Sequence, residues 1–197
     1  MSDPKRPLRL GILVSGRGSN MAAILKAIGE GRVNAAAALA VSDNPAAPAL
    51  GIASAHGVKT VVVNRKSFPD KASFEAAMVC ELKEAGVELV VLAGFMRLLG
   101  PVFIGEFPDR IINVHPALLP AFPGLEAQKQ ALDYGVKIAG CTVHYVNEIM
   151  DGGRIIAQAA VPVMPDDTAE TLSARILEQE HRLLPEVIGR LAVEVAY

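Results

Sequence analysis

Short aliphatic runs alternate with helical segments along this chain, and that alternation limits its fold more than any other feature. Leu8 to Val14, Ala35 to Val41, Thr60 to Val63 and Leu89 to Ala93 read as strands. Between them, Met21 to Ile28, Ala46 to His56 and Asp70 to Ala85 read as helices, stopped near Gly29, Gly57 and Gly86. Glycine ends a helix cheaply because it accepts the left-handed conformation of the cap. Strands linked through helices form βαβ units, and right-handed crossovers place the helices on both faces of a parallel sheet. Strands covered on both faces are continuous apolar runs rather than alternating ones. Hydrophobic residues make up 51% of the chain while Trp is absent, so Ala, Val, Leu and Ile must build the core.

The second half has a different pattern. Lys137 to Val146 and Arg154 to Val163 read as longer strands joined only by Asn147 to Gly153, a connection suited to antiparallel pairing. Asp166 to Glu170 has the acidic first turn of a helix, which would run to about His181 or beyond, with Pro185 kinking it or opening a fresh turn. The expected class is α/β, a Rossmann-like three-layer fold whose mostly parallel sheet gains an antiparallel strand in its C-terminal half.

Several functions are excluded by composition. The net charge is −2 with no basic block, which gives nucleic acid no electrostatic footing. No apolar run is long enough to span a bilayer, and Met1 to Pro7 lacks the apolar core of a secretion signal. Cys80 and Cys141 lack CxxC spacing, which speaks against zinc; both are expected to be buried free thiols in a reducing cytoplasm.

Two stretches carry chemistry. Ser15-Gly16-Arg17-Gly18-Ser19-Asn20 lies between a strand and a helix, where glycines let the backbone approach an anion and the helix N-terminus offers free N–H groups. Met21 occupies the third glycine position of a dinucleotide fingerprint, and no Gly-Lys-Ser/Thr follows, so a single phosphate fits better than a pyrophosphate. For the same reason Asp43, at the end of the second strand, is a weak match to a ribose-binding acid. The second stretch is Ile111 to Pro116. Residues i and i+2 of a strand share a face, so Asn113 and His115 aim at one place. A hydrogen-bond donor beside a titratable ring suits proton transfer at a carbonyl. Read alone, it reads first as a polar strand end, and Asp151 in Asp-Gly-Gly first as a turn residue. His144 in an apolar strand, His181 on the last helix and His56 at a helix end read as structural.

These motifs occur in an order that resembles the folate-dependent formyltransferases. The resemblance runs through Val14 to Asn20, Leu92 to Arg97, His115 to Pro120, Phe122 to Gly124, Thr142 to His144, Met150 to Gly153 and Gln179 to His181. It implies one formyltransferase domain over 1–197, with a nucleotide-binding half of about 1–100 and a folate-binding, catalytic half of about 101–197. It also implies a catalytic trio of Asn113, His115 and Asp151. Gly18, Ser19 and Asn20 would contact a phosphoribosyl group, and Glu180 the rest of the glycinamide substrate. Met96, Arg97, Leu98 and Leu99, the segment Asn147 to Asp151, Asn113 and Lys71 would line the folate pocket. Arg97 is equally a structural cap or ion-pair partner. There are two departures from the pattern: Glu126 and Gln128 stand where many relatives carry histidines, and Arg154 where a proline is common.

The implied reaction moves the formyl group of 10-formyltetrahydrofolate to the amine of glycinamide ribonucleotide, within purine synthesis and without a metal. Asn113 would donate to the developing oxyanion, while His115 would stabilise it if protonated or carry protons if neutral. Asp151 would orient the ring, and Pro116 would hold His115 in extended backbone. A monomer or homodimer is expected. The catalytic part starting at Leu8 speaks against a formyltetrahydrofolate hydrolase with a regulatory leader. The length and low charge speak against a formyltransferase acting on transfer RNA. A non-catalytic nucleotide-binding module is the remaining alternative, and it would leave His115 and Asp151 without a role.

Overall fold

The computed structural model describes residues 6–194, so most of the amino-terminal stretch read above as lacking a secretion core lies outside the described residues. Seven strands form one sheet: β1 (Leu8–Val14), β2 (Ala35–Ser42), β3 (Thr60–Val62), β4 (Leu89–Leu92), β5 (Ile111–His115), β6 (Ile138–Tyr145) and β7 (Ile155–Pro162). Their order is β3-β2-β1-β4-β5-β6-β7. β3 to β5 pair in parallel, and β6 and β7 pair antiparallel, as the short connection after Tyr145 requires. The order reverses between β1 and β4, and in such sheets ligands bind in the crevice beyond the strands' carboxyl ends.

The helices are α1 (Ser19–Gly29), α2 (Ala49–Ala55), α3 (Lys71–Glu84), α4 (Pro101–Glu106), α5 (Ala127–Tyr134) and α6 (Ala169–Glu194), with a 3-10 turn at Arg65–Ser67. Side chains alternate along each strand, so the sheet divides two cores. Leu10, Ile12, Val14, Ile112 and Val143 pack with Met21, Ile24, Leu184 and Ile188 of α1 and α6. Leu13, Leu39, Val90 and Ile111 pack with Phe74, Met78 and Leu82 of α3 and Phe103 of α4. The second face also carries Asn113 and His115, two and four residues beyond Ile111.

Four readings of the sequence need correction or extension. α2 starts at Ala49 rather than Ala46, because Pro45 and Pro48 disfavour helix in the residues before them. α4, α5 and the 3-10 turn were not read, being too short to show a period. α6 runs through Pro185 without opening a fresh turn, its burial against the sheet outweighing the hydrogen bond that proline removes. Cys80 is exposed, unlike Cys141. It sits off the stripe of Phe74, Met78 and Leu82 and donates from Sγ to Glu84 Oε1 at 3.4 Å.

Ile112 anchors the strand that carries the candidate site and is fully buried. Truncation to Ala should cost about 2–5 kcal/mol, read from denaturant unfolding; a loss under about 1 kcal/mol would show that this core is loosely packed.

Candidate active site

The site forms where β5 and β6 pair antiparallel. Asn113 lies opposite His144, and His115 opposite Thr142. All four residues therefore share the face covered elsewhere by α3 and α4. His144 Nδ1 donates to the Tyr145 carbonyl at 2.8 Å, which leaves Nε2 as the acceptor for Asn113 Nδ2 at 3.2 Å. That assignment fixes which end of the Asn113 amide is nitrogen and leaves its second N–H free to donate elsewhere.

Asp151 reaches both imidazoles. Its Oδ2 lies 3.4 Å from His115 Nδ1, and its Oδ1 lies 3.6 Å from His144 Nε2. The chain must make an abrupt return to bring it there. Asp151 has φ 52°, a left-handed conformation uncommon outside glycine. Gly153 then passes so close to β6 that a Cβ would lie 1.7 Å from the Tyr145 oxygen. The Asp-Gly-Gly run is thus a turn, and the turn delivers the carboxylate.

The segment after β5 closes over this cluster. The Phe122 carbonyl accepts from His115 Nε2 at 2.8 Å, and the Gly124 N–H donates to Asp151 Oδ2 at 2.8 Å. Phe122 and Glu126 are also left-handed, with φ 53° and 55°. Thr142 anchors the base of the segment, donating to the Ala117 carbonyl at 2.7 Å and accepting from the Leu119 N–H at 3.0 Å. Glu126, at a departure from the family pattern, serves as the N-terminal boundary of α5.

A cavity of about 660 Å³ opens beside the cluster. Lys71, Met96, Arg97, Leu98, Leu99, Asn113, Asn147 and Asp151 all line it, so every residue read above as a folate contact borders one space. His144 lines it too. The wall from Leu98 to Pro101 is held from behind by Glu75, 2% exposed, whose carboxylate accepts from the Gly100 N–H at 2.6 Å and the Phe103 N–H at 3.3 Å. Glu75 is a contribution the sequence did not reveal, since a Glu on a helix face ordinarily reads as solvated.

The glycine loop lies beyond β1, at the same end of the sheet. Gly18 has φ 78°, and a Cβ there would sit 2.6 Å from Ala49 Cβ, so glycine is required twice over. No side chain caps α1, which leaves its first N–H groups to the solvent side or to an anion. Asn20 donates from Nδ2 to Glu180 Oε2 at 2.7 Å, joining the loop to α6 in a buried contact. Burial pushes the Glu180 carboxyl up, and the Asn20 bond pulls it partly back.

His144, read as structural, is buried with both ring nitrogens engaged within the protein, and what the sequence did not reveal is its partner. The signal lay in the pairing: only the β5–β6 register puts it against Asn113. Burial holds its imidazole below the ordinary 6.5, His115 acts in the same direction, and the Tyr145 carbonyl and the Asp151 carboxylate oppose them. The neutral ring is therefore the folded form, and it is the form that accepts from Asn113.

A donor amide, two imidazoles and a carboxylate thus gather next to a largely apolar cavity on a Rossmann-like α/β sheet. Residues 8–188 match the family described as formyl transferase. The chain is 45% identical over 183 residues to the phosphoribosylglycinamide formyltransferase of Bacillus subtilis, covering 93% of this chain and 94% of that one. It is 43% identical over 194 residues to the trifunctional purine biosynthetic protein adenosine-3 of Drosophila pseudoobscura pseudoobscura, covering 98% of this chain but 14% of that much longer protein. The crystal structure of glycinamide ribonucleotide transformylase 1 from Symbiobacterium toebii superposes with a TM-score of 0.95 at 48% identity, covering 97% of this chain and 90% of that one. The chain belongs to the formyl transferase family.

In an NMR titration of the imidazole resonances, His144 should keep its proton on Nδ1 and titrate below 6.5. A folded-state value depressed in this way contributes stability that is full above the unfolded value and is lost as pH falls through the folded one. His181, which burial also lowers, adds a loss of the same sign. Titration of His144 above 6.5 would contradict the assigned hydrogen bonds.

Proposed function

We propose that the chain transfers the formyl group of 10-formyltetrahydrofolate to the amine of glycinamide ribonucleotide, giving formylglycinamide ribonucleotide and tetrahydrofolate. The observation that carries this reading is the cluster of Asn113, His144 and Asp151 at the border of the 660 Å³ cavity, with His115 buried behind them against Asp151. The cavity is predominantly apolar in its side chains and large enough for a flat heteroaromatic ligand, with Lys71 on its margin. The relatives named for glycinamide ribonucleotide support the acceptor.

The folate supplies a formyl carbon bound to a nitrogen leaving group. In the net change, that carbon gains a bond to the acceptor amine and loses its bond to the folate nitrogen. The proton leaving the amine ends on the folate nitrogen. Asn113 donates its free Nδ2–H to the formyl oxygen, where negative charge develops. Removal of one such donor costs roughly 10²–10³ in rate in related sites. His144 holds that amide in the donating orientation. His115 and Asp151 handle the proton between the two nitrogens, with the carboxylate orienting the ring. The closed segment of Phe122 and Gly124 restricts water around the pair. Gly18, Ser19 and the α1 N-terminus bind the phosphate of the acceptor, while Glu180, steered by Asn20, accepts hydrogen bonds from its ribose or amide.

In this reading one domain holds both ligands: the half of about 1–100 supplies the phosphate loop and the half of about 101–197 the chemistry, while Lys71 and Met96 to Leu99 of the first half share the folate pocket with the second, and Glu180 of the second reaches the ribonucleotide. Free Cys80 and Cys141 accord with a cytoplasmic enzyme. Among the described residues no helix is long and apolar enough to cross a membrane.

Mixing the protein with 10-formyltetrahydrofolate and glycinamide ribonucleotide should release tetrahydrofolate, followed by absorbance, with the formylated product confirmed by mass. Absence of turnover by folded protein would overturn the proposal, and deformylation independent of the acceptor would replace it with a hydrolase. His115→Ala should slow turnover by about 10²–10⁴, and a loss under about tenfold would remove the acid–base role.

A further inference from the structure

The end of β2 carries an acid that the mechanism above does not use. Asp43 follows directly on Ser42, beside the glycine loop. In a dinucleotide site an acid there would face a ribose. Here its side chain is 6% exposed, and Oδ2 accepts from Arg97 Nε. Oδ1 is buried without a hydrogen-bond partner among the described residues. A carboxylate is costly to bury unless a charge compensates it, so the pair with Arg97 is what keeps Asp43 tolerable in this position.

Arg97 belongs to the wall of the cavity, with its side chain 43% exposed. Its guanidinium lies 5.9 Å from the centroid of the Phe74 ring, which is itself buried on α3. Asp43 and Phe74 therefore hold one long side chain from two directions. Nε is the nitrogen committed to Asp43; neither Nη makes a protein hydrogen bond among the described residues. The backbone of the same wall is held in parallel. Ser15 donates its N–H to the Gly94 carbonyl at 3.1 Å, and its Oγ accepts from the Met96 N–H at 2.9 Å. Ser15 follows β1 as Asp43 follows β2. The ends of two strands in the phosphate-binding half thus fix the segment Gly94 to Arg97, which faces the formyl donor.

We propose that Asp43 is a positioning residue for the formyl-donor pocket, holding Arg97 so that the pocket wall is formed before the donor arrives. The proposal rests on the folate reading of that cavity. An unheld arginine has many rotamers, and ordering it on binding would weaken affinity for the donor without touching the chemistry. Loss of Asp43 therefore acts on donor binding and spares the catalytic step and the phosphate site.

Asp43→Asn keeps the shape and removes the charge. It should raise KM for the formyl donor about tenfold, the scale of one lost charge-assisted hydrogen bond, with kcat and the ribonucleotide KM changed less than about threefold. Calorimetric titration with tetrahydrofolate should show the same loss of affinity without any turnover. In an Arg97→Ala background, Asp43→Asn should add nothing, a result that a general packing role would not produce. If Asp43→Asn does not fold, Asp43→Ser carries the same prediction for the donor KM and the tetrahydrofolate affinity.

An unchanged donor KM and tetrahydrofolate affinity in an active enzyme would overturn the inference and leave the proposed function standing. A rise confined to the ribonucleotide KM would also overturn it, making Asp43 a ribose ligand. Wild-type protein that binds tetrahydrofolate but does not formylate the ribonucleotide would overturn the proposed acceptor, with the affinity comparison still deciding the role of Asp43. Wild-type protein that binds no tetrahydrofolate would overturn both.

Discussion

Everything at the candidate site depends on the antiparallel register between β5 and β6. Because strand residues alternate between faces, a slip of one residue would send Asn113 and His115 into the α1–α6 core. In the observed register Asn113 meets His144 and His115 meets Thr142. One pairing therefore orients the amide, and the other anchors the segment that closes over the imidazole. The parallel part of the sheet makes this possible by covering both faces of β1, β2 and β4. Beyond β5, the face lacking α3 and α4 is left for a cavity.

Around that register the chain accepts unfavourable backbone. Asp151, Phe122 and Glu126 are all left-handed without being glycine; Asp151 and Phe122 contact His115, and Glu126 ends the segment at the start of α5. Such conformations persist where surrounding contacts over-determine them. Here the contacts are identifiable: the Gly124 N–H on Asp151, the Phe122 carbonyl on His115, and Gln130 Nε2 donating to the Pro123 carbonyl at 3.2 Å and the Leu125 carbonyl at 2.9 Å. The segment is held by hydrogen bonds to His115 and Asp151 themselves.

The strands and long helices were legible because their signals are local: continuous aliphatic runs, Phe74-Met78-Leu82 spacing, glycine stops. The convergence of Asn113 and His115 was legible for the same reason, through the two-residue period. The approach of Asp151 was suggested only by resemblance to a family, since Asp-Gly-Gly is a turn in most chains. The partners of His144, Glu75 and Asp43 were not legible because they lie at a distance in sequence. A histidine in an apolar strand, a glutamate on a helix and an acid after a strand carry no mark of the amide, the helix N-terminus or the guanidinium they meet. Cys80 was misplaced because apolar neighbours in sequence do not decide which side of a helix faces water.

The central claim is that Asn113, oriented by His144, addresses the formyl oxygen while His115 and Asp151 address the amine. The most direct measurement is a crystal structure with glycinamide ribonucleotide and a folate analogue carrying a non-transferable carbonyl. The account predicts that carbonyl oxygen about 3 Å from Asn113 Nδ2, with the acceptor amine reaching His115 or Asp151 directly or through one water. A carbonyl bound away from Asn113, with the amine remote from both His115 and Asp151, would contradict it.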